Sequence, residues 1–275
     1  METNTNISIL IVNYNTSDFI KLSLYALSHL TKSSFHVYIC DNGSKKKDIA
    51  KIEKLKDTYE NFTIFFRQQS QEGSVGHAEA LNFLLEKAQS PFTVILDADC
   101  IFLYNGWDKL LISELKDQVA IAGTPPVPNQ NKKPLDFPLM YAIIFNTEIY
   151  NSLNISMMPD PENIKKGMDT GHEMREKYLN AGFRSFTLIC KNTRVDKSGP
   201  FGKTTICAEY YYPNIDNIFA CHFGRGSSLG YAKFKTFFYK IPFWGTFIKF
   251  LRSRIDKKRW ILKCYNIINQ QKDDL

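Results

Sequence analysis

Over its first hundred residues this chain alternates short apolar runs of strand character with stretches of helical period. Ile7 to Val12, Phe35 to Cys40, Phe62 to Arg67 and Phe92 to Leu96 read as buried strands, and Phe19 to Leu30, Ile49 to Tyr59 and Ala78 to Ala88 read as the helices between them. A β-α-β-α-β-α-β order predicts an α/β fold built on a mostly parallel central sheet with right-handed crossovers. Ligands of such sheets gather at the carboxyl ends of the strands, so the residues just after each strand carry the functional question.

Those residues are polar. Asn13-Tyr14-Asn15-Thr16-Ser17 follows the first strand, Asp41-Asn42-Gly43-Ser44 the second and Asp97-Ala98-Asp99 the fourth. Each has a plain structural reading: Thr16 or Ser17 can cap a helix, Asp41-Asn42-Gly43 suits a turn, and strand ends favour Asp in turns. Their joint appearance on one sheet edge argues for a site. In Val94-Ile95-Leu96-Asp97-Ala98-Asp99, alternation along an extended chain would turn both acids to one side, a costly pair of like charges without a cation between them. Magnesium and manganese prefer oxygen ligands and keep positions open for phosphate oxygens, so the pair suits a nucleoside diphosphate held through Mn2+ or Mg2+. Between strands three and four, Glu72-Gly73-Ser74-Val75-Gly76 runs into a helix, and Gly73 and Gly76 would let backbone amides approach a ligand. The spacing is neither that of a Walker loop nor GxGxxG.

Ile-Val-Asn-Tyr-Asn on the opening strand, Cys-Asp-Asn-Gly-Ser after the second, Gly-x-x-x-Ala-Leu-Asn and Leu-Asp-Ala-Asp together resemble the family 2 inverting glycosyltransferases, over about residues 7 to 226. The resemblance implies a GT-A fold, with a Rossmann-like nucleotide-binding half (about 1–122) and an acceptor half (123–228). By that similarity Asn13, Tyr14 and Asn15 would line the nucleoside pocket, and Asp41 would hydrogen-bond the base. Gly76, Asn82 and Asp97 would complete the nucleotide-sugar site, and Asp99 would contact the metal beside Asp97. Many members have Ala-Arg-Asn where this chain has Ala80-Leu81-Asn82, so one basic contact is missing and the donor is left open, with a UDP- or dTDP-sugar expected.

Family members place a catalytic carboxylate near the start of a helix in the second half. Here Gly167-Met168-Asp169-Thr170-Gly171-His172-Glu173 opens a helix expected to run to Gly182, which transfers the role of base to Asp169, with Glu173 second. Thr170-x-x-Glu173 also reads as a capping box, and the family's usual adjacent pair of acids is a single acid in this chain. Similar His-x-x-Gly-x-Ser sequences in the family put the histidine beside the metal or diphosphate. His222 is therefore expected as a third metal ligand, with Arg225 within reach of phosphate.

The 275 residues, 44% of them hydrophobic, suffice for one large domain with an appendage. Six cysteines without CxxC pairing, and no apolar leader before Ile7, point to a reducing cytoplasm. No apolar stretch reaches the roughly 18 residues of a spanning helix. Of the net charge of +7, Tyr231 to Lys263 carries ten basic residues against Asp256 alone, and from Phe234 to Trp260 nine bulky aromatics, Phe243, Trp244 and Trp260 among them, are interleaved with these charges. Residues 229–275 thus read as a basic helical tail, suited to an anionic membrane interface or packed with its aromatics inward. Nucleic acid is not the expected partner.

The expectation is a cytoplasmic enzyme, peripheral on the inner face of the membrane. It would move a sugar from a nucleoside diphosphate sugar to a hydroxyl of a glycan or lipid-linked acceptor. A nucleotidyltransferase would need a basic glycine-rich loop after strand one, which is missing here. A non-catalytic nucleotide- or membrane-binding protein with a degenerate transferase fold is the alternative.

Overall fold

The computed structural model describes residues 6–68, 73–128, 133–160, 162, 168–224, 226 and 244–273. The first half follows the expected order: β1 (Ile7–Asn13), α1 (Ser17–Leu30), β2 (Phe35–Asn42), α2 (Lys46–Glu53), a 3-10 turn (Lys54–Asp57), β3 (Phe62–Arg67), α3 (Ser74–Leu85) and β4 (Phe92–Leu96). There follow β5 (Cys100–Phe102), α4 (Trp107–Glu114), β6 (Val119–Gly123), β7 (Ala142–Asn146), α5 (Thr147–Ser152), α6 (Glu173–Asn180), β8 (Arg184–Thr187), β9 (Ile189–Asn192), β10 (Ala208–Tyr211), β11 (Ile218–His222) and α7 (Trp244–Asp273).

Seven strands form one sheet in the order β3-β2-β1-β4-β7-β6-β8, with β1 parallel to both β2 and β4. Both faces of β1 are covered. Ile7, Ile9 and Ile11 join the cluster that includes α1, while Leu10 and Val12 join Ala78, Leu81 and Leu84 of α3 on the other side. The period-2 alternation of a strand buried on both faces explains why its sequence reads as one apolar run. The chain steps from β1 to β2 to β3 in one direction and returns to β4 on the other flank of β1, so β1 and β4 bracket the switch point where ligands of such sheets bind. A second sheet, β5-β11-β10-β9, lies beyond β4.

Boundaries moved where capping prevailed over hydrophobic period. α3 begins four residues before the expected Ala78, at Ser74, because Gly73 adopts φ +75° as its N-cap. α2 starts at Lys46 and tightens into the 3-10 turn before Tyr59. α6 starts only at Glu173, and the expected capping box does not form: Thr170 Oγ1 donates to the Ser74 carbonyl, and Glu173 accepts from the Ser156 amide.

The basic tail separates into parts. Residues 227–243, with most of its aromatics, and Arg225 lie outside the described residues. The second half of α7 packs on the body, and Trp260, counted among the interfacial aromatics, is fully buried there. Its ring meets Phe19, Phe223 and Phe201 at centroid separations of 5.7, 5.6 and 6.2 Å, and its Nε1 donates to Cys221 Sγ at 3.0 Å. Lys257 reaches Asp18 of α1 at 3.1 Å. Trp260→Ala is expected to cost about 3–5 kcal/mol and to lower the melting temperature by roughly 10 °C, checked by calorimetry. No described helix is long and apolar enough to cross a membrane.

Candidate active site

Asp97-Ala98-Asp99 lies where the chain leaves one sheet for the other, between β4 and β5. The two acids are brought together by a turn closed by Cys100 N donating to Asp97 O at 2.9 Å, and not by strand alternation as the sequence suggested. Asp97 N donates to Tyr141 O at 2.8 Å, fixing the turn to the chain that enters β7. β11 then runs antiparallel to β5 with His222 opposite Cys100, which sets the imidazole beside Asp99. His222 Nε2 stands 3.3 Å from Asp99 Oδ1 and 3.6 Å from Asp97 Oδ2, and the three ligand atoms all lie within 4.8 Å of one another.

Each of the three is held. Asp99 is buried, its Oδ2 accepts from the Gly226 amide at 2.8 Å, and its carbonyl accepts from Phe223 N at 2.9 Å. His222 packs against the Tyr141 ring, with centroids 4.3 Å apart and ring planes tilted by 32°. Burial and then the neighbouring Asp99 push the Asp97 carboxyl well above the usual carboxylate range, with His222 opposing the shift. Two carboxylates and an imidazole in one half-buried corner form a donor set that suits a divalent cation such as manganese, and the strain on Asp97 is what such a cation would relieve.

Gly226 approaches so closely that an added Cβ would lie 2.8 Å from Asp99 Cβ and 2.9 Å from Phe19 Cε2. Gly226→Ala must shift that backbone and its amide. The expected result is manganese affinity about 10–100-fold weaker, read by metal titration of a still-folded protein.

An open cleft of about 370 Å³ lies beside this corner, lined by Gly73, Ser74, His77, Asp97, Lys133, Leu139, Met140, Tyr141, Asp169 and Thr170. Asp169 therefore shares a cleft with Asp97, whereas Glu173 does not line it. Burial opposes ionisation of Asp169, but the Ser74 hydroxyl, the Thr170 amide, Lys133 and His77 together hold its carboxyl below the usual value. Burial pulls the imidazole of His77, on the first turn of α3, below its ordinary value, with Asp169 and Asp99 opposing the shift. Sequence reasoning passed over His77, Tyr141 and Lys133. His77 follows Gly76 in the glycine-bearing turn and so offered a signal, while the other two offered none.

The other expected donor-site residues gather at the neighbouring strand ends. Asn13 and Asp41, in register on β1 and β2, are buried and bonded to each other, Asn13 Nδ2 donating to Asp41 Oδ2 at 2.6 Å. Asn13 Oδ1 accepts from Thr16, and Ser44 N donates to Asp41 Oδ1, so both acids and amides of this corner brace the loops. Asn15, at φ +56°, accepts from Lys45 N, and Tyr14 is the exposed member of the group. Gly76 O accepts from Asn42 Nδ2, and Asn82 Oδ1 accepts from Met157 N, tying α3 to β2 and to the segment between α5 and α6.

The profile of the glycosyl transferase family 2 matches residues 8–171, more than half of the sequence and the part that carries Asn13, Asp41, Asp97, Asp99 and Asp169. The chain belongs to glycosyl transferase family 2. No curated protein shows a significant sequence match to it. Among solved structures, this family 2 chain is similar to the mannosyltransferase PcManGT from Pyrobaculum calidifontis in complex with GDP-Man and Mn2+, at 18% identity and TM-score 0.53, covering 68% of this chain and 55% of that one. It is also similar to S. aureus TarS, at 18% identity and TM-score 0.49, covering 64% of this chain and 34% of that one. It thus spans about half the length of the first and a third of the second. The first likeness carries the fold, which is the GT-A fold.

Proposed function

We propose that this protein is a metal-dependent inverting glycosyltransferase that moves a sugar from a nucleoside diphosphate sugar to a hydroxyl of a glycan or lipid-linked acceptor. The observation that carries the reading is the convergence of Asp97, Asp99 and His222 at the sheet switch point, with the ionised Asp169 in the same cleft. Asp97, Asp99 and His222 would hold Mn2+ or Mg2+, and when bound the ion neutralises charge on the diphosphate leaving group. PcManGT, solved with Mn2+, supports that choice. Asp169 would accept the proton of the acceptor hydroxyl, and a carboxyl held below its ordinary value stays ionised at neutral pH. Ser74 and Thr170 orient that carboxylate.

Tyr14, Asn15 and the strand ends braced by Asn13 and Asp41 would flank the nucleoside. UDP- and dTDP-sugars are the first donors to test, and the GDP-Man in PcManGT adds GDP-sugars to the set. One in-line displacement at the anomeric carbon inverts its configuration. The test is a panel of α-linked UDP-, dTDP- and GDP-sugars with mixed acceptors, scored for nucleoside diphosphate release and for the anomeric coupling of the product by NMR. A β-linked product with one donor class is expected. Nucleotide binding without turnover on any pair would favour the degenerate, binding-only reading, and an α-linked product would overturn inversion.

A further inference from the structure

α7 presents two apolar faces. Trp260, Cys264 and Ile268 turn into the body and are buried. On the opposite side, Phe247, Ile248, Leu251, Ile255 and Leu262 recur at the spacing of one helical face and are between 40% and 55% exposed. A helix packed on a domain normally turns a polar face outward, so a second apolar stripe needs its own explanation. Exposed cations edge the stripe: Arg254 and Lys258 on one flank, Arg252 and Arg259 on the other. The second flank continues into the body, where Lys197 and Lys203, between β9 and β10, join Arg252 and Arg259 around an open cleft of about 320 Å³. Asp256, the one acid between Phe247 and Lys263, also borders that cleft and is buried on the packed side.

We infer that this outer face of α7 docks on an anionic lipid bilayer, the helix lying along the surface with Leu251, Ile255 and Leu262 at the acyl boundary. Charge complementarity selects this occupant. Protein interfaces are depleted in lysine, whereas a narrow apolar stripe between two rows of Lys and Arg matches acyl chains framed by lipid phosphates. The inference stands whether or not the chain transfers sugar.

The test is co-sedimentation of the full chain with phosphatidylglycerol/phosphatidylcholine vesicles and with phosphatidylcholine alone. Wild type is compared with the triple variant Leu251→Gln/Ile255→Gln/Leu262→Gln and with Arg254→Gln/Lys258→Gln/Arg259→Gln, each monitored for melting temperature and mass in solution. Wild type should bind the anionic vesicles and weaken with salt. The charge variant should bind on the order of a hundredfold more weakly at unchanged melting temperature, and the apolar variant should lose binding. Binding that ignores phosphatidylglycerol, salt and the charge variant would overturn the inference. A lowered melting temperature of the apolar variant with vesicle binding intact would assign the stripe to the chain's own residues 227–243. A dimer dissolved by the same variant, with no vesicle binding, would assign it to a second copy. Should the apolar variant fail to fold, the charge variant decides.

Discussion

Replacing Asp99 with alanine is expected to reduce sugar transfer by at least about a thousandfold, a loss of several kcal/mol of charge stabilisation. Asp99 is the innermost of the three candidate ligands and the one fixed by both Gly226 N and His222. The same change removes one of two crowded carboxylates. The lost amide bond and the relieved repulsion act in opposite directions, so the metal-free melting temperature should change little. A steady-state assay with the identified donor, run beside a thermal scan, separates the two effects. Full turnover in a stable Asp99→Ala protein would remove the metal assignment.

Asp169→Asn is the second large effect. The amide keeps the shape and can still accept from Thr170 N, but it cannot take a proton. The rate constant kcat should fall about 10²–10⁴-fold, while affinity for nucleoside diphosphate with manganese stays as in wild type. Glu173→Gln, outside the cleft, should leave kcat near wild type. The pH profile carries the same information. Protonation of Asp169 disables the base, so activity falls as pH falls. Because Ser74, Thr170, Lys133 and His77 hold its carboxyl below the ordinary value, that fall belongs at lower pH than for a free carboxylate. If Glu173→Gln proved the more damaging change, the base would have to be reassigned.

The strand-helix alternation was readable because it is local: β1 to β4 each bury a short run, and residues two or four apart carry the pattern. Asp97 and Asp99 were readable for the same reason, as neighbours in sequence. That a turn and not a pleat joins them was hidden, because β5 belongs to a different sheet and its direction is set by pairing with β11. The contact of His222 with both acids follows from that pairing, and only the family resemblance reached it in advance. Asn13 and Asp41 were each readable as polar strand-end residues, but their bond to each other was not, because it follows from the register of two parallel strands. Trp260 shows the same limit from the other end of the chain. Its surroundings of lysine and arginine read as interfacial, and its partners Phe19 and Phe223 come from distant segments that composition does not reveal.

The claim on which the rest depends is that Asp97, Asp99 and His222 hold a divalent cation that in turn holds a nucleoside diphosphate. Titration calorimetry of UDP, dTDP and GDP into wild type, Asp99→Ala and His222→Ala, each with and without manganese, addresses it directly. Binding of one nucleotide that requires manganese and is lost or severely weakened in both variants is the result this account predicts. Equal binding without manganese, or in Asp99→Ala with it, would contradict it.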